Sequence, residues 1–186
     1  MKDQINIQIG GKGTGKTSYC RKLLFHGYPK RCLVLDLHNE YTEIEVLTDW
    51  NFLKDPNENG LYRVLFNGLN LAEKKEKYMK CFDGFKKGFL IAEDPFTFIH
   101  YTSNTIESEL IQSILLRKAT DCGLFLNIQG WSHAVDLLNL VDVLIMRKTN
   151  DIERCKLRIP NRVFEEYKSV ENGLYENRYS YSKIAL

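Results

Sequence analysis

Nowhere in these 186 residues does an apolar run approach the ~20 residues that span a bilayer, which argues against a membrane-inserted chain. No C-x-x-C pair occurs, and the cysteines are five, an odd number: Cys20, Cys32, Cys81, Cys122 and Cys155. That pattern suits neither a disulfide frame nor a zinc site; it fits reduced, mostly buried thiols in a cytosol-like compartment. An excess of one charge is also missing. Lys and Arg number 26 against 24 Asp and Glu, and a net +2 is too small to announce nucleic-acid binding by itself. Any basic surface has to come from clustering. The N-terminus enters an apolar strand pattern at once, with no room for a signal peptide, so the expected location is cytoplasmic. Internal repeats and low-complexity linkers are absent, and the expectation is a single domain over residues 1–186, with its core over about 5–148 and a C-terminal extension over about 150–186. What remains is ordinary globular composition, 44% apolar and 27% charged.

The most informative stretch is Gly10-Gly11-Lys12-Gly13-Thr14-Gly15-Lys16-Thr17, directly after the apolar run Ile5-Asn6-Ile7-Gln8-Ile9. This is the G-x-x-x-x-G-K-[ST] phosphate loop in its strand-then-loop context. Glycines let the backbone curl until several N–H groups point into one concavity, which suits a chain of phosphate oxygens. Lys16 is placed to reach the β- and γ-phosphates, and the Thr17 hydroxyl to take one position on Mg²⁺. A helix starting near Lys16, with Ser18 in its first turn, aims its positive end at the same anion. The expected ligands are ATP and Mg²⁺.

Further along, apolar runs alternate with helix-like stretches, the signature of an α/β sheet with mainly parallel strands. Buried-type strands are expected at Ile5–Ile9, Cys32–Asp36, Phe89–Ala92, Leu124–Ile128 and Val141–Met146, with a more alternating one at Leu61–Phe66. The expected helices cover Lys16–His26, closed by Gly27-Tyr28-Pro29, then Asn70–Lys87, Thr105–Thr120 and the region around Arg162–Ser169. Residues Tyr41–Asp55 are ambiguous, and the chain ends in a polar, tyrosine-rich tail. In the third helix Ile106, Leu110, Ile111, Ile114 and Leu115 form one apolar face.

Chemistry on a phosphate loop needs an acid at the end of a neighbouring buried strand. Phe89-Leu90-Ile91-Ala92-Glu93-Asp94 supplies two carboxylates. By register Glu93 is the metal-side acid and Asp94 the general base for water, with the swapped assignment as the alternative. The strand Leu124–Ile128 ends in Gln129, whose amide has both donor and acceptor and suits a site holding water and a phosphate oxygen.

Taken in order, these stations resemble the HerA/FtsK superfamily of P-loop DNA-pumping ATPases. Leu33-Val34-Leu35-Asp36-Leu37-His38-Asn39-Glu40-Tyr41 is similar to the strand-Asp-Pro-His-Gly-Glu-Tyr signature of the HerA branch, with Leu37 in place of Pro and Asn39 in place of Gly. Glu93-Asp94 and Gln129 match the Walker B and sensor positions, the acid pair being inverted. Ile114-Leu115-Leu116-Arg117-Lys118 resembles the basic region between those stations. The small size is closest in kind to the minimal genome-packaging ATPases of tailless icosahedral viruses. The resemblance implies a three-layer α/β sandwich with core strand order 5-1-4-3-2, counting the five buried-type strands in chain order. It also implies ATP hydrolysis coupled to DNA translocation, a homo-oligomeric ring, capsid or portal partners, and a place in the host cytoplasm or on the virion. A ring motor completes each site with a neighbour's cation; Arg117 is the first candidate and Arg147, followed by Lys148, the second. Lys74, Lys75, Lys77, Lys80, Lys86 and Lys87 are candidates for sequence-independent contacts to DNA phosphates. Alternatives are a zonula-occludens-toxin-like phage assembly ATPase, a nucleotide switch, and a small-molecule kinase. Against the kinase, residues 127–141 contain no arginine for a phosphate-covering lid.

Overall fold

The computed structural model describes residues 4–26, 30–97, 104–176 and 181–186. The expected Gly27-Tyr28-Pro29 turn and the side chains of Ile106 and Lys118 lie outside the described residues. Strands β1 (Ile5–Ile9), β2 (Arg31–Asp36), β3 (Glu45–Val46), β4 (Gly60–Leu65), β5 (Gly88–Glu93), β6 (Cys122–Ile128), β7 (Val143–Met146) and β8 (Ser182–Ala185) form one sheet. The helices are α1 (Lys16–Phe25), α2 (Asn51–Lys54), α3 (Leu71–Gly84), α4 (Asn104–Lys118), α5 (Trp131–Ala134), α6 (Ile152–Cys155) and α7 (Asn161–Glu176). Strand order is β3-β4-β2-β5-β6-β1-β7-β8. Read from the β7 side, the five expected core strands stand in the order 5-1-4-3-2, as the resemblance implied. Every pairing is parallel except β7 with β8.

Alternation of side chains along the strands divides the core in two. Cys32 and Val34 of β2, with Phe89, Ile91, Phe125 and Ile145, pack beneath Cys20 and Leu24 of α1. Leu33, Leu35, Ile7, Leu90 and Leu126 face the other way, toward Tyr78 and Phe82 of α3, Leu110 and Ile114 of α4, and Val163 and Tyr167 of α7. The sheet is therefore sandwiched between helical layers. All five cysteines are free and buried. Among the described residues no helix is long and apolar enough to cross a membrane.

Local chemistry accounts for several boundaries. Asn70 caps α3 by accepting from Glu73 N at 3.0 Å, while Glu73 accepts from Asn70 N at 2.8 Å, a reciprocal capping box. Asp142 accepts from Ile5 N at 2.8 Å and pins β7 to the start of β1. Strand β8 departs from the expected polar tail. Of Ser182–Ala185 only Ile184 is buried, so this antiparallel edge strand carries too weak an apolar signal to stand out in the sequence.

Candidate active site

The chain turns out of β1 directly into the phosphate loop, and the loop into α1. Gly10 N donates to Ile128 O at 3.1 Å and Gly11 N to Lys148 O at 2.9 Å, anchoring the loop between the ends of β6 and β7. Gly13 and Gly15 stand at φ 75° and 84°, in the left-handed region that side chains resist. A Cβ at Gly10 would lie 2.7 Å from Thr14 Oγ1 and 2.8 Å from Arg147 Cβ, so this glycine is required by close approach. Lys16 Nζ donates to Gly10 O at 2.7 Å and Gly11 O at 3.2 Å, folding the lysine over its own loop.

The loop opens onto a cleft of about 710 Å³. Lys12, Gly13, Thr14, Gly15, Lys16, Thr17 and Ser18 line one side; Glu93, Asp94 and Gln129 close it, with Arg21, His38 and Glu40. Burial lowers the Lys16 pKa, and the carboxylates of Glu93, Asp94 and Glu40 oppose that shift. One lysine thus faces three carboxylates across the space a polyphosphate would occupy. Beside these carboxylates, a dication accompanying the phosphates would offset negative charge that the lining cations and loop N–H groups share. Among the described residues no group of three or more His, Cys, Asp or Glu side chains could hold a metal ion alone. The donor set fits Mg²⁺, which keeps most of its water and binds through one or two protein oxygens plus substrate phosphate.

Glu93 is buried, and its Oε1 accepts from Tyr41 Oη at 2.5 Å and Asn127 Nδ2 at 2.8 Å. Burial pushes its pKa up to about 7 against those two hydrogen bonds, with the Glu40 charge adding to the rise. Burial also raises Asp94, opposed first by Lys16. Asp94 has φ 31°, an uncommon conformation for a residue with a side chain, and its N–H donates to Asn127 O at 2.8 Å. The strand therefore stops at Glu93, and the backbone swings Asp94 into the cleft.

Sequence reasoning missed the support beneath these acids. Gln8 pairs in register with Asn127, and Asn127 with Glu93. With its amide oxygen turned toward Arg147, Gln8 accepts from Nε and from Nη2 (3.1 Å) of that arginine and donates to Asn127 Oδ1 at 3.2 Å. A buried polar row thus crosses β7, β1, β6 and β5 under the phosphate loop. Asn127 Nδ2 also lies 3.2 Å from Cys20 Sγ, whose thiol burial pushes up to about 12 and keeps protonated. The available signal was polar residues inside otherwise apolar strands, Gln8 in β1 and Asn127 in β6, each expensive to bury without partners.

A second group sits on the loop after β2, in the signature segment the resemblance singled out without assigning its side chains roles. Asp36 accepts from Glu40 N at 2.8 Å, Tyr41 N at 3.0 Å and Arg63 Nη1 at 3.0 Å. Asn39, where the HerA-type signature has glycine, takes φ 56° and accepts from Arg63 Nη1 at 2.6 Å. Asparagine tolerates that left-handed conformation better than most residues. The folded loop carries Tyr41 to Glu93 and sets Glu40 against the Thr17 hydroxyl, which donates to Glu40 Oε2.

Arg117, the first candidate for a neighbour's cation, is engaged within its own chain. Leu110, Ser113, Ile114 and Arg117 recur at helical spacing, and all four side chains are buried. Arg117 donates to Phe85 O, lies 3.5 Å from Cys122 Sγ and stands over the Phe82 ring at 4.9 Å. Cys122 begins β6 and Phe85 precedes β5, so this guanidinium belongs to the end of the sheet opposite the phosphate loop, a strand's length or roughly 17 Å away. Leu115, expected on the apolar face, is 48% exposed instead. Arg147 is buried too, donating to Thr14 O at 2.9 Å beneath its own loop. Both candidate cations are therefore engaged within the chain that carries them. On α3, Lys77 donates to Leu65 O at 2.7 Å, and Lys77 and Lys80 stand over the Trp50 ring at 5.7 and 5.4 Å. The lysine run is thus partly folded against its own domain rather than projecting as a uniform stripe.

No protein-family model and no curated protein sequence matches the chain. Solved structures do. The genome packaging NTPase B204 from Sulfolobus turreted icosahedral virus 2, in complex with AMPPCP, superposes with a TM-score of 0.65 at 15% identity, over 98% of this chain and 97% of that one. B204, the DNA-packaging ATPase from Sulfolobus turreted icosahedral virus, gives 0.66 at 13% identity over 98% of both chains. The virus 2 NTPase in complex with ATP-gammaS gives 0.57 at 17% identity over 90% of this chain and 87% of that one. This is a P-loop NTPase fold. The neighbours fit the resemblance to packaging ATPases of tailless icosahedral viruses, and at these identities the likeness is one of architecture. Within the P-loop NTPase fold, the cleft at the carboxyl ends of β1, β5 and β6 is where a nucleotide's phosphates belong.

Proposed function

We propose that this protein hydrolyses ATP with Mg²⁺ and couples hydrolysis to movement of DNA, most simply as the packaging motor of a tailless icosahedral virus. The observation that carries the reading is Lys16 facing Glu93 and Asp94 across a glycine-rich loop. In it the loop N–H groups and Lys16 cradle the phosphates, and Thr17 and Glu93 hold the metal side. The metal would neutralise charge on the phosphoryl group. Glu93 Oε1 is tied by Tyr41 and Asn127, so its other oxygen is the one that would help to hold the metal. Asp94, carried into the cleft by its strained backbone, takes the proton of the attacking water, and Gln129 orients that water beside the γ-phosphate.

Coverage of nearly the whole chain by viral packaging ATPases supports the DNA-directed part of the reading; a ring of identical subunits and capsid or portal partners follow only from the family resemblance. Contacts to DNA would be to phosphates, with strong salt dependence. The test is the ATPase rate with and without DNA across a range of protein concentrations. The reading expects stimulation by DNA and a specific activity that rises as subunits associate. Turnover indifferent to both would leave a nucleotide switch in its place.

A further inference from the structure

Thr17 and Glu40 are separated by 23 positions in the chain, yet the Thr17 hydroxyl donates to Glu40 Oε2. This contact has consequences for the metal. A threonine hydroxyl that offers a lone pair to a dication must direct its proton elsewhere, and a carboxylate is the strongest acceptor for it. The strand acid Glu93 is oriented otherwise, its Oε1 held by Tyr41 and Asn127. We propose that Glu40, on the loop after β2, is the positioning residue that accepts the Thr17 hydroxyl proton and so presents the Thr17 oxygen to the metal ion accompanying the nucleotide. The proposal rests on the Mg²⁺–nucleotide reading above.

The rest of the loop explains how an exposed carboxylate is held in place. Asp36, fully buried, accepts from the backbone N–H groups of Glu40 and Tyr41, which fixes the chain direction on both sides of the Glu40 Cα. Arg63 pairs with the same Asp36 carboxylate, and its Nε donates to Ile44 O at 2.9 Å, closing the loop at its far end. Arg21, one helical turn after Thr17, donates to Glu40 O and pairs with Glu43 at 2.7 Å. Thus β2, β4 and α1 all bear on the placement of Glu40. Its charge also adds to the repulsion at Glu93, which a bound dication would relieve.

The test measures metal affinity rather than turnover. Mn²⁺ binding to the full-length protein saturated with ADP is followed by electron paramagnetic resonance, and binding of a fluorescent ADP is followed in EDTA. Glu40→Ala should weaken Mn²⁺ by ~10- to 100-fold, the usual cost of losing an outer-shell partner. Nucleotide affinity in EDTA should be unchanged or tighter, because a negative charge has left the cleft. Thr17→Ala should weaken Mn²⁺ as well, and the double variant should be no worse than the poorer single one, since Glu40 acts through Thr17. Unchanged Mn²⁺ affinity in Glu40→Ala, or additive losses in the double variant, would overturn the proposal. If the unaltered protein binds ADP no more tightly with Mn²⁺ than in EDTA, the metal–nucleotide reading itself fails and takes this inference with it.

Discussion

Asn127 Nδ2 lies 2.8 Å from Glu93 Oε1, a bond between register partners at the ends of adjacent parallel strands. It ties the strand-end acid of the cleft to a polar row that ends at Arg147 under the phosphate loop. Loop and acid are therefore held by one hydrogen-bonded framework rather than by separate supports.

Glu93 should make the nucleotide-free protein lose stability as pH rises. Its folded pKa, about 7, lies above the ordinary 4.5, so the folded state keeps a proton that the unfolded chain releases between those values. The corresponding stability is whole below pH 4.5 and is lost as pH rises through about 7, an effect on the order of 3 kcal/mol. Thermal melts of wild type and Glu93→Gln across this range should converge at the acid end and diverge above pH 7, with the variant the more stable. Parallel curves would mean that Glu93 titrates normally.

Lys16→Ala should lower hydrolysis by a factor on the order of 10³ or more, the scale for removing a positioned donor to developing charge. Nucleotide binding should weaken with it. The lysine's hydrogen bonds go to the carbonyls of Gly10 and Gly11, in the loop rather than the core, so the melting temperature should change little. Normal turnover by a folded Lys16→Ala protein would sink the phosphate-loop assignment.

Glu93 and Asp94 should separate kinetically. Loss of the metal-side acid in Glu93→Gln should weaken Mg²⁺-dependent nucleotide binding, whereas Asp94→Asn should bind nucleotide and fail to cleave it. Equilibrium binding and single-turnover hydrolysis on both variants distinguish the two. The opposite pattern would exchange the roles.

Arg117→Ala should behave as a core defect. Its guanidinium is buried against Phe82 and the carbonyl of Phe85, and leaving that carbonyl without its donor should cost about 2–4 kcal/mol. A lower melting temperature is expected, with turnover per folded molecule preserved. Mixing Arg117→Ala with Lys16→Ala should restore no activity if these internal contacts hold the guanidinium in the assembled protein as well. Restoration by mixing would reverse this conclusion.

How much of this was legible in advance follows from the range over which each feature is encoded. The loop from Gly10 to Thr17 is a contiguous backbone form, set by glycines at Gly13 and Gly15 and by the adjoining strand, so the sequence alone determined it. The five core strands were equally plain, because burial on both faces leaves continuous apolar runs in a parallel sheet. Their order came from resemblance and agrees with the structure. Tertiary structure decided what had no local signature. Arg117 reads as a basic helix end in sequence, but the packing of Leu110 and Ile114 carries it inward, to the amino ends of β5 and β6. Gln8, Asn127 and Glu93 meet only because parallel pairing places them in one register. Glu40 and Tyr41 reach Thr17 and Glu93 only because Asp36 and Arg63 close the intervening loop. Backbone conformation depends on neighbours in the chain, whereas side-chain encounters depend on strand register and loop closure, which form only when the sheet does.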